Sequence, residues 1–304
     1  MPLHYELSDL RLLLILMRTR SLSASGEAAH LTTSAVSLRL RKLEDGIGAQ
    51  LFTRTGKGLV PTEAGTALAE AAVPILAEAA ALDARLNPFS KHDPEPLRIF
   101  SNSTGLQNFL CRIAADYLRA NSSFRAVLTE QRSSLTPEAV LTGEADLGLI
   151  GGIRELSPAY RTKLELVQFV EDRHVVILPR DSSAAQQFKN RPILFAELLN
   201  LRFAALTDAS PMTAAMKERA LAAGFRFEPI IEAPSFSLLV ELVARGPLAA
   251  VVPASAVPPN APVEVRELED SWAARPLAFV LPKARPALPS AIDFVEFALR
   301  TQKR

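Results

Sequence analysis

The sequence holds one cysteine in 304 residues, so no internal disulfide can form. That excludes a stapled secreted scaffold and favours a reducing compartment. Its histidines, His4, His30, His92 and His174, are scattered and match no His-Glu-x-x-His or paired-cysteine spacing, so no metal site is expected. Neither G-x-S-x-G nor G-x-x-x-x-G-K-[ST] occurs, which removes the nucleophile elbow and the phosphate-cradling loop. No enzyme is expected. Long apolar runs are missing too: Thr66 to Leu82 is mostly alanine and carries Glu70 and Glu78, whereas a membrane span needs about 20 mostly apolar residues. Glu6 and Asp9 stand where a signal peptide would be basic, and the apolar run Leu12 to Met17 stops at Arg18. A soluble cytoplasmic chain with no membrane partner is expected. Finally, neither sign of charge dominates. Lys and Arg number 34 against 33 Asp and Glu, and a net charge of +1 taken alone speaks against a nucleic-acid partner.

What is present is a chain long enough for about two domains. Its 48% hydrophobic and 22% charged residues are ordinary for a globular protein. Residues 8 to 60 are rich in Leu, Ser, Thr and Arg. Residues 62 to 87 are rich in Ala with regular Glu and Leu, and read as one long helix containing Pro74, which should kink or weaken it. Pro88, Pro94 and Pro96 mark a linker. From Leu97 onward short apolar runs alternate with helical stretches, the pattern of an α/β domain.

Three short helices are predicted near the N-terminus. Ser8 can cap the first, with Leu10, Leu13, Leu14 and Met17 on one face. Ser21 can cap a second that runs to about Ala29. Thr32 can cap a third that ends near Asp45 before Gly46. A tight turn between the second and third makes a helix-turn-helix pattern over about 21–40. On a wheel of about 100° per residue, Val36, Leu40 and Leu43 of the third helix point inward. Ser34, Ser37, Leu38 and Arg41 point outward, where hydroxyls and Arg suit phosphates or base edges and Leu38 suits a thymine methyl. Ala49 to Arg54 reads as a strand, Thr55 to Gly58 as a turn, and Leu59-Val60 as a return strand. This basic hairpin, with Arg54 and Lys57, reads as a wing; arginine is drawn to the negative potential of a narrow minor groove.

Local charge reverses the impression left by the total. Residues 10–60 hold eight basic side chains (Arg11, Arg18, Arg20, Arg39, Arg41, Lys42, Arg54, Lys57) against three acidic ones, while residues 62–90 hold Arg85 against four. The near-zero sum hides a basic head joined to an acidic helix, and phosphate attraction acts locally because salt screens beyond about 10 Å.

Ser21-Leu22-Ser23, Ser34-Ala35-Val36-Ser37, Leu43-Glu44, Leu51 to Gly56 and Pro61 to Gly65 together resemble the winged helix-turn-helix of LysR-type transcriptional regulators. The order and spacing match without gaps over nearly sixty residues. Leu141 to Ile150, Glu171 to Pro179, Ser235-Phe236 and Ala250 to Pro253 resemble the same family's effector domain, which extends the likeness over almost the whole chain. The resemblance implies an α/β architecture with a winged helix-turn-helix at 1–61, a linker helix at 62–90 that pairs two subunits, and a two-lobed domain like type 2 periplasmic binding proteins at 91–304. Lobe 1 is expected at about 91–165 and 270–304, and lobe 2 at about 166–269. It implies DNA contacts from Ser23, Thr32, Thr33, Ser34, Ser37, Leu38, Arg39, Arg41, Arg54, Lys57 and Thr62. It implies an effector cleft among Ser103, Thr104, Ser133, Ser134, Thr207, Asp208, Ser235 and Phe236. The partners implied are double-stranded DNA, a small-molecule co-inducer and further copies of the chain in a dimer or tetramer; no other cofactor is expected. Gly151 stands where some members carry an arginine that clamps a carboxylate. Asp146 reads as structural, Cys111 as a small core residue and Trp272 as packing at a lobe edge. The alternatives from other classes are a solute-binding protein without a DNA role and an α/β enzyme.

Overall fold

A computed structural model describes residues 5–56, 58–86, 89, 95–153, 156–189, 191–208, 210–283 and 285–302. The chain begins with α1 (Leu7–Thr19), α2 (Leu22–Ala29) and α3 (Thr33–Ile47), followed by the hairpin β1 (Phe52–Thr55) and β2 (Gly58–Pro61). Helix α1 is the central rod of this head: Leu10, Leu12, Leu13, Leu14 and Leu16 are all buried, and it packs on the two helices that follow.

Its cap is Glu6 rather than Ser8, because the Asp9 carboxylate accepts the Glu6 N–H at 3.0 Å and draws Ser8 into the first turn. Ser21 and Thr32 cap α2 and α3 as expected, accepting the N–H groups of Ala24 and Ala35 at 3.4 and 3.2 Å. Within α2, Gly26 has no substitute of ordinary size, since a Cβ there would lie 2.6 Å from the Leu31 carbonyl oxygen in the turn that follows. Helix α3 runs through Gly46 and stops at Gly48, whose φ of 79° is the left-handed cap conformation. The strand also starts later than expected: the N–H groups of Leu51 and Phe52 donate to the Glu44 carboxylate at 2.8 and 3.3 Å, leaving 49–51 as a loop.

Helix α4 (Glu63–Leu86) continues unbroken through Pro74, whose ring is exposed. Its Ala69, Ala72 and Leu76 complete the head core. By length and composition Glu63–Asp83, with mean hydropathy 1.4, is long and apolar enough to cross a membrane. That corrects the expectation that no stretch would pass, because alanine dilutes the few charges. The buried side of α4 lies against α1 and against the helix Thr136–Leu141 of the next domain.

The linker prolines Pro88 and Pro94, with His92, lie outside the described residues. Next come β3 (Leu97–Ser101), α5 (Ser103–Gly105), a π-helical turn (Leu106–Leu110), α6 (Cys111–Ala120), β4 (Ala126–Glu130), α7 (Thr136–Leu141), β5 (Leu147–Gly151), α8 (Pro158–Lys163) and β6 (Leu164–Glu171). The second lobe contains β7 (His174–Pro179), α9 (Ser183–Gln187), α10 (Phe195–Leu198), β8 (Ala204–Leu206), α11 (Pro211–Ala222), β9 (Ile231–Ala233), α12 (Phe236–Arg245), β10 (Ala250–Pro253) and β11 (Val263–Glu267). The chain then returns as β12 (Pro276–Pro282) and α13 (Pro289–Gln302).

The first lobe is a five-stranded sheet in the order β4-β3-β5-β12-β6. Alternation along its strands feeds two cores: Ile99, Leu147 and Phe279 meet α6 and α13, while Phe100, Ile150 and Val280 meet α7. Strand β6 pairs with β12 over its length, so the expected lobe edge at 166 falls inside a first-lobe strand. The second lobe is built on β10-β7-β11, with the parallel pair β8-β9 beside it. The chain therefore crosses between lobes at 172–173 and returns at 268–275. Cys111 is exposed, correcting its expected core position. Ile113 and Tyr117, four residues apart, carry the buried face of α6, and Cys111 lies off that face.

Candidate nucleic-acid interface and inter-lobe cleft

The outward face of α3 is as the wheel requires. Val36, Leu40 and Leu43 are buried, Ser34 and Arg41 are exposed, and Leu38 keeps 53% of its surface in solvent. The hairpin folds back beside this face. Arg54 of β1 and Arg41 of α3 both donate to the Ser37 hydroxyl, at 3.2 and 3.4 Å. Neither arginine has a carboxylate within ion-pair distance among the described residues. Two uncompensated guanidinium groups are thus held together by one small neutral side chain. Ser23, Thr32 and Thr33 are exposed around the start of α3, with the Thr32 hydroxyl serving as its cap. Lys57 lies outside the described residues.

Two of the predicted contacts are tied within the head. Arg39 turns toward α1, where Nε donates to Asp9 at 3.1 Å and a terminal nitrogen to Ser8 at 2.6 Å. It is an intramolecular tie. Thr62 caps α4 by accepting the Gly65 N–H at 3.0 Å, and donates its own proton to the Gln50 carbonyl at 2.7 Å. Its hydroxyl is already engaged on both sides.

Between the lobes, Ser103, Thr104, Ser235 and Phe236 come together with Gln107, Asn108 and Ser237 around a cavity of about 40 Å³. Residues 103 and 104 form the first helical turn, which Asn102 caps by accepting the Gly105 N–H at 2.9 Å. Gln107 and Asn108 then follow at helical spacing from Thr104. The Thr104 side chain is buried, and its hydroxyl finds no partner among the described residues. Ser235 accepts the Leu238 N–H at 3.4 Å and starts α12 on the opposite wall.

The other four predicted cleft residues do not line this cavity. Ser133 braces the wall from behind, accepting from Asn102 at 2.9 Å and from the Gly151 N–H at 3.4 Å. Ser134 and Thr207 are exposed, and Asp208 pairs with Lys217 at 2.5 Å on the surface of the second lobe. A larger hollow of about 370 Å³ lies away from the cleft, lined by Arg202, Ile230, Ile231, Leu238, Leu242 and Leu248. It draws on one lobe only, whereas the smaller cavity gathers polar groups from both, as small-ligand sites do.

The crossing strands at the cleft base are tied by charge. Asp172 donates its backbone N–H to the Arg275 carbonyl at 2.9 Å, and their side chains pair at 3.6 Å. Ser255 donates to Asp172 through N–H and hydroxyl at 3.1 and 2.9 Å, and Asn108 of the first lobe donates to Ser255 at 2.9 Å. Burial lowers the Arg275 pKa, partly offset by Asp172. A Cβ at Gly151 would lie 2.8 Å from Arg275 Nε, so the guanidinium fills the space of a side chain at 151. Next to it, burial with the charges of Arg275 and Arg219 holds His174 neutral, its pKa lowered to about 4. Trp272 packs within the second-lobe core, edge-on to Phe195 and under the Arg219 guanidinium.

Residues 7–66 match the protein-family model described as "Bacterial regulatory helix-turn-helix protein, lysR family". Residues 90–303 match "LysR substrate binding domain". The chain is 28% identical over 215 residues to the RuBisCO operon transcriptional regulator of Allochromatium vinosum, covering 71% of this chain and 68% of that one. Against other curated relatives the match spans 50% to 60% of their length. Full-length OxyR from Pseudomonas aeruginosa has a similar structure, with a TM-score of 0.62, 20% identity and coverage of 98% and 95% of the two chains. CbnR solved with its target DNA gives a TM-score of 0.53 at 18% identity, covering 98% of this chain and all of that one. At such identities these likenesses show the fold.

Proposed function

This chain belongs to the LysR family of bacterial helix-turn-helix regulators, and from that premise we propose that it binds double-stranded DNA through its winged head and senses a small molecule between its two lobes. The observation that carries the DNA reading is the convergence of Arg41 and Arg54 on Ser37. This arrangement gives α3 a base-reading face with Ser34 and Leu38, and sets the wing arginine beside it for the neighbouring minor groove. Ser23, Thr32 and Thr33 supply phosphate contacts at the start of α3, and Lys57 adds to the wing.

The effector is a compact molecule contacted by Ser103, Thr104, Ser235 and Phe236, with Gln107, Asn108 and Ser237 completing the wall. Among the described residues no charged side chain lines this cavity, and its small volume requires the lobes to part on entry. Different affinity for the open and closed states is what lets the ligand bias the heads. The protein works in the cytoplasm as a homo-oligomer, with no catalytic role and no membrane contact. Support for self-association comes from α4, which leaves Ile75, Leu82 and Leu86 exposed. Further support comes from two sheet edges bearing Val127 and Leu128 on β4 and Ile231 on β9.

The test is a footprint of the purified protein across the DNA upstream of its own gene. Protection that weakens steeply with salt is expected, and no protection at low salt removes the proposal.

A further inference from the structure

The head meets the sensor through α1 as well as through the linker helix. Arg18, in the last turn of α1, sends its two terminal nitrogens to the two oxygens of Glu144 at 3.1 and 3.3 Å. The arginine side chain is only 12% exposed in this contact. Beside it, Ala80 of α4 lies against Gly143, where a Cβ would come within 2.5 Å of the alanine methyl and φ is +73°. Helix-to-turn contact this close is open only to glycine.

The turn that presents Glu144 is held from behind. Asp146 accepts the backbone N–H, Nε and a terminal nitrogen of Arg98 at 2.9, 3.1 and 2.7 Å. Buried Arg285 donates to the Val140 and Ala145 carbonyls at 3.3 and 3.4 Å. Arg18 also faces Glu138 of α7, whose pKa burial and the Glu144 charge raise while Arg18 and a Tyr160 hydrogen bond lower it. One cation of the head therefore answers two carboxylates of the sensor.

On the head side the same helix carries the wing. Arg20, two residues beyond Arg18, is left-handed with φ 55°, and its carbonyl accepts the Leu59 N–H of β2 at 2.8 Å. In this arrangement Ser34, Leu38, Arg41 and Arg54 stay exposed, so docking directs the recognition face without covering it. We infer that Arg18 and Glu144 form a releasable latch that docks the winged head on the first lobe of its own sensor. The latch sets the direction of the wing from the lobe that forms one wall of the effector cleft. A paired, charge-assisted contact is strong when closed. It joins two units otherwise linked by one helix and a proline-marked segment, which makes it the natural place for release.

The contact needs no DNA, so its test is separate from that of the DNA-binding reading. Hydrogen exchange is followed in the full-length protein and in Arg18→Gln, Glu144→Gln and the double variant, without DNA or effector. In each single variant, amides of the last turn of α1 and of Leu59 are expected to exchange about tenfold faster, the loss of one charge-assisted pair. Amides of Leu147–Gly151 should be unchanged, and the double variant should be no looser than either single one. Unchanged exchange in the single variants, additive loosening in the double, or loosening throughout the first lobe overturns the latch. A missing footprint with this exchange pattern intact removes the DNA reading and leaves the latch standing.

Discussion

The two arginines of the proposed recognition face and the arginine at the hinge, where the chain crosses between the lobes, show opposite solutions to one electrostatic problem. Arg41 and Arg54 are exposed and share only the neutral Ser37 hydroxyl. Arg275 is largely buried, with 15% of its side chain exposed, paired with Asp172, and tied into a chain that runs through Ser255 to Asn108. A cation meant for a polyanion gains by arriving uncompensated, because displaced counterions then drive binding. A cation that holds two lobes in register has to be neutralised, because an unpaired buried charge costs several kcal/mol. Arg39 belongs with the second kind although it lies on the helix of the first.

The hinge should break hardest. Asp172→Ala strands Arg275 and is expected to cost the sensor about 3–5 kcal/mol. Urea unfolding followed by Trp272, the single tryptophan, reads this directly; a midpoint within error of the unaltered protein would show that the pair holds nothing. The neighbouring histidine gives the next effect. His174 is neutral in the fold with its pKa lowered to about 4, against 6.5 for an ordinary histidine. Between those values the unfolded chain binds the extra proton, so stability is complete above pH 6.5 and falls as pH drops toward 4. The full loss is about 3 kcal/mol. His174→Gln should flatten that part of the pH profile, and an equally steep profile in the variant would refute the assignment.

On the recognition face the effects move from folding to binding. Arg54→Ala should weaken DNA binding by about 1–3 kcal/mol and lower the salt slope by roughly one unit. Arg39→Ala should leave the salt slope unchanged and lower the stability of the head instead. Equal slopes for the two variants would erase the contrast between the two arginines, and unchanged affinity in the first would remove the wing from the interface. The smallest effect is at Leu38, which packs against little: Leu38→Ala should shift thermal stability by no more than about 0.5 kcal/mol. It should nonetheless change which operator sequences are protected.

Much of the head was legible because its signals are local. Caps at Ser21 and Thr32, an inward stripe of Val36, Leu40 and Leu43, and a Gly-rich hairpin each act within a few residues. The misreadings there came from side chains that outbid a local rule: Asp9 drew the first cap to Glu6, and Glu44 claimed the amides of Leu51 and Phe52. In the cleft, half of the expected residues line the cavity. Ser103, Thr104, Ser235 and Phe236 sit at helix starts, which sequence marks well. Asp208 and Thr207 looked alike in sequence but face elsewhere, because which wall a loop turns toward depends on how β8 and β9 sit in the second lobe.

The sequence by itself determined a basic winged head, a long alanine-rich helix and an α/β domain, since helical and strand periodicity, capping and local charge density are written in neighbouring residues; its division into two lobes came from the family resemblance. Only the tertiary structure decided how the charges are used. Arg18 meets Glu144 across 126 residues, and Asp172 meets Arg275 between two separate crossings of the chain. With nearly equal numbers of both signs available, any arginine has many possible partners. The fold selects one by bringing it within reach and removing water from between them.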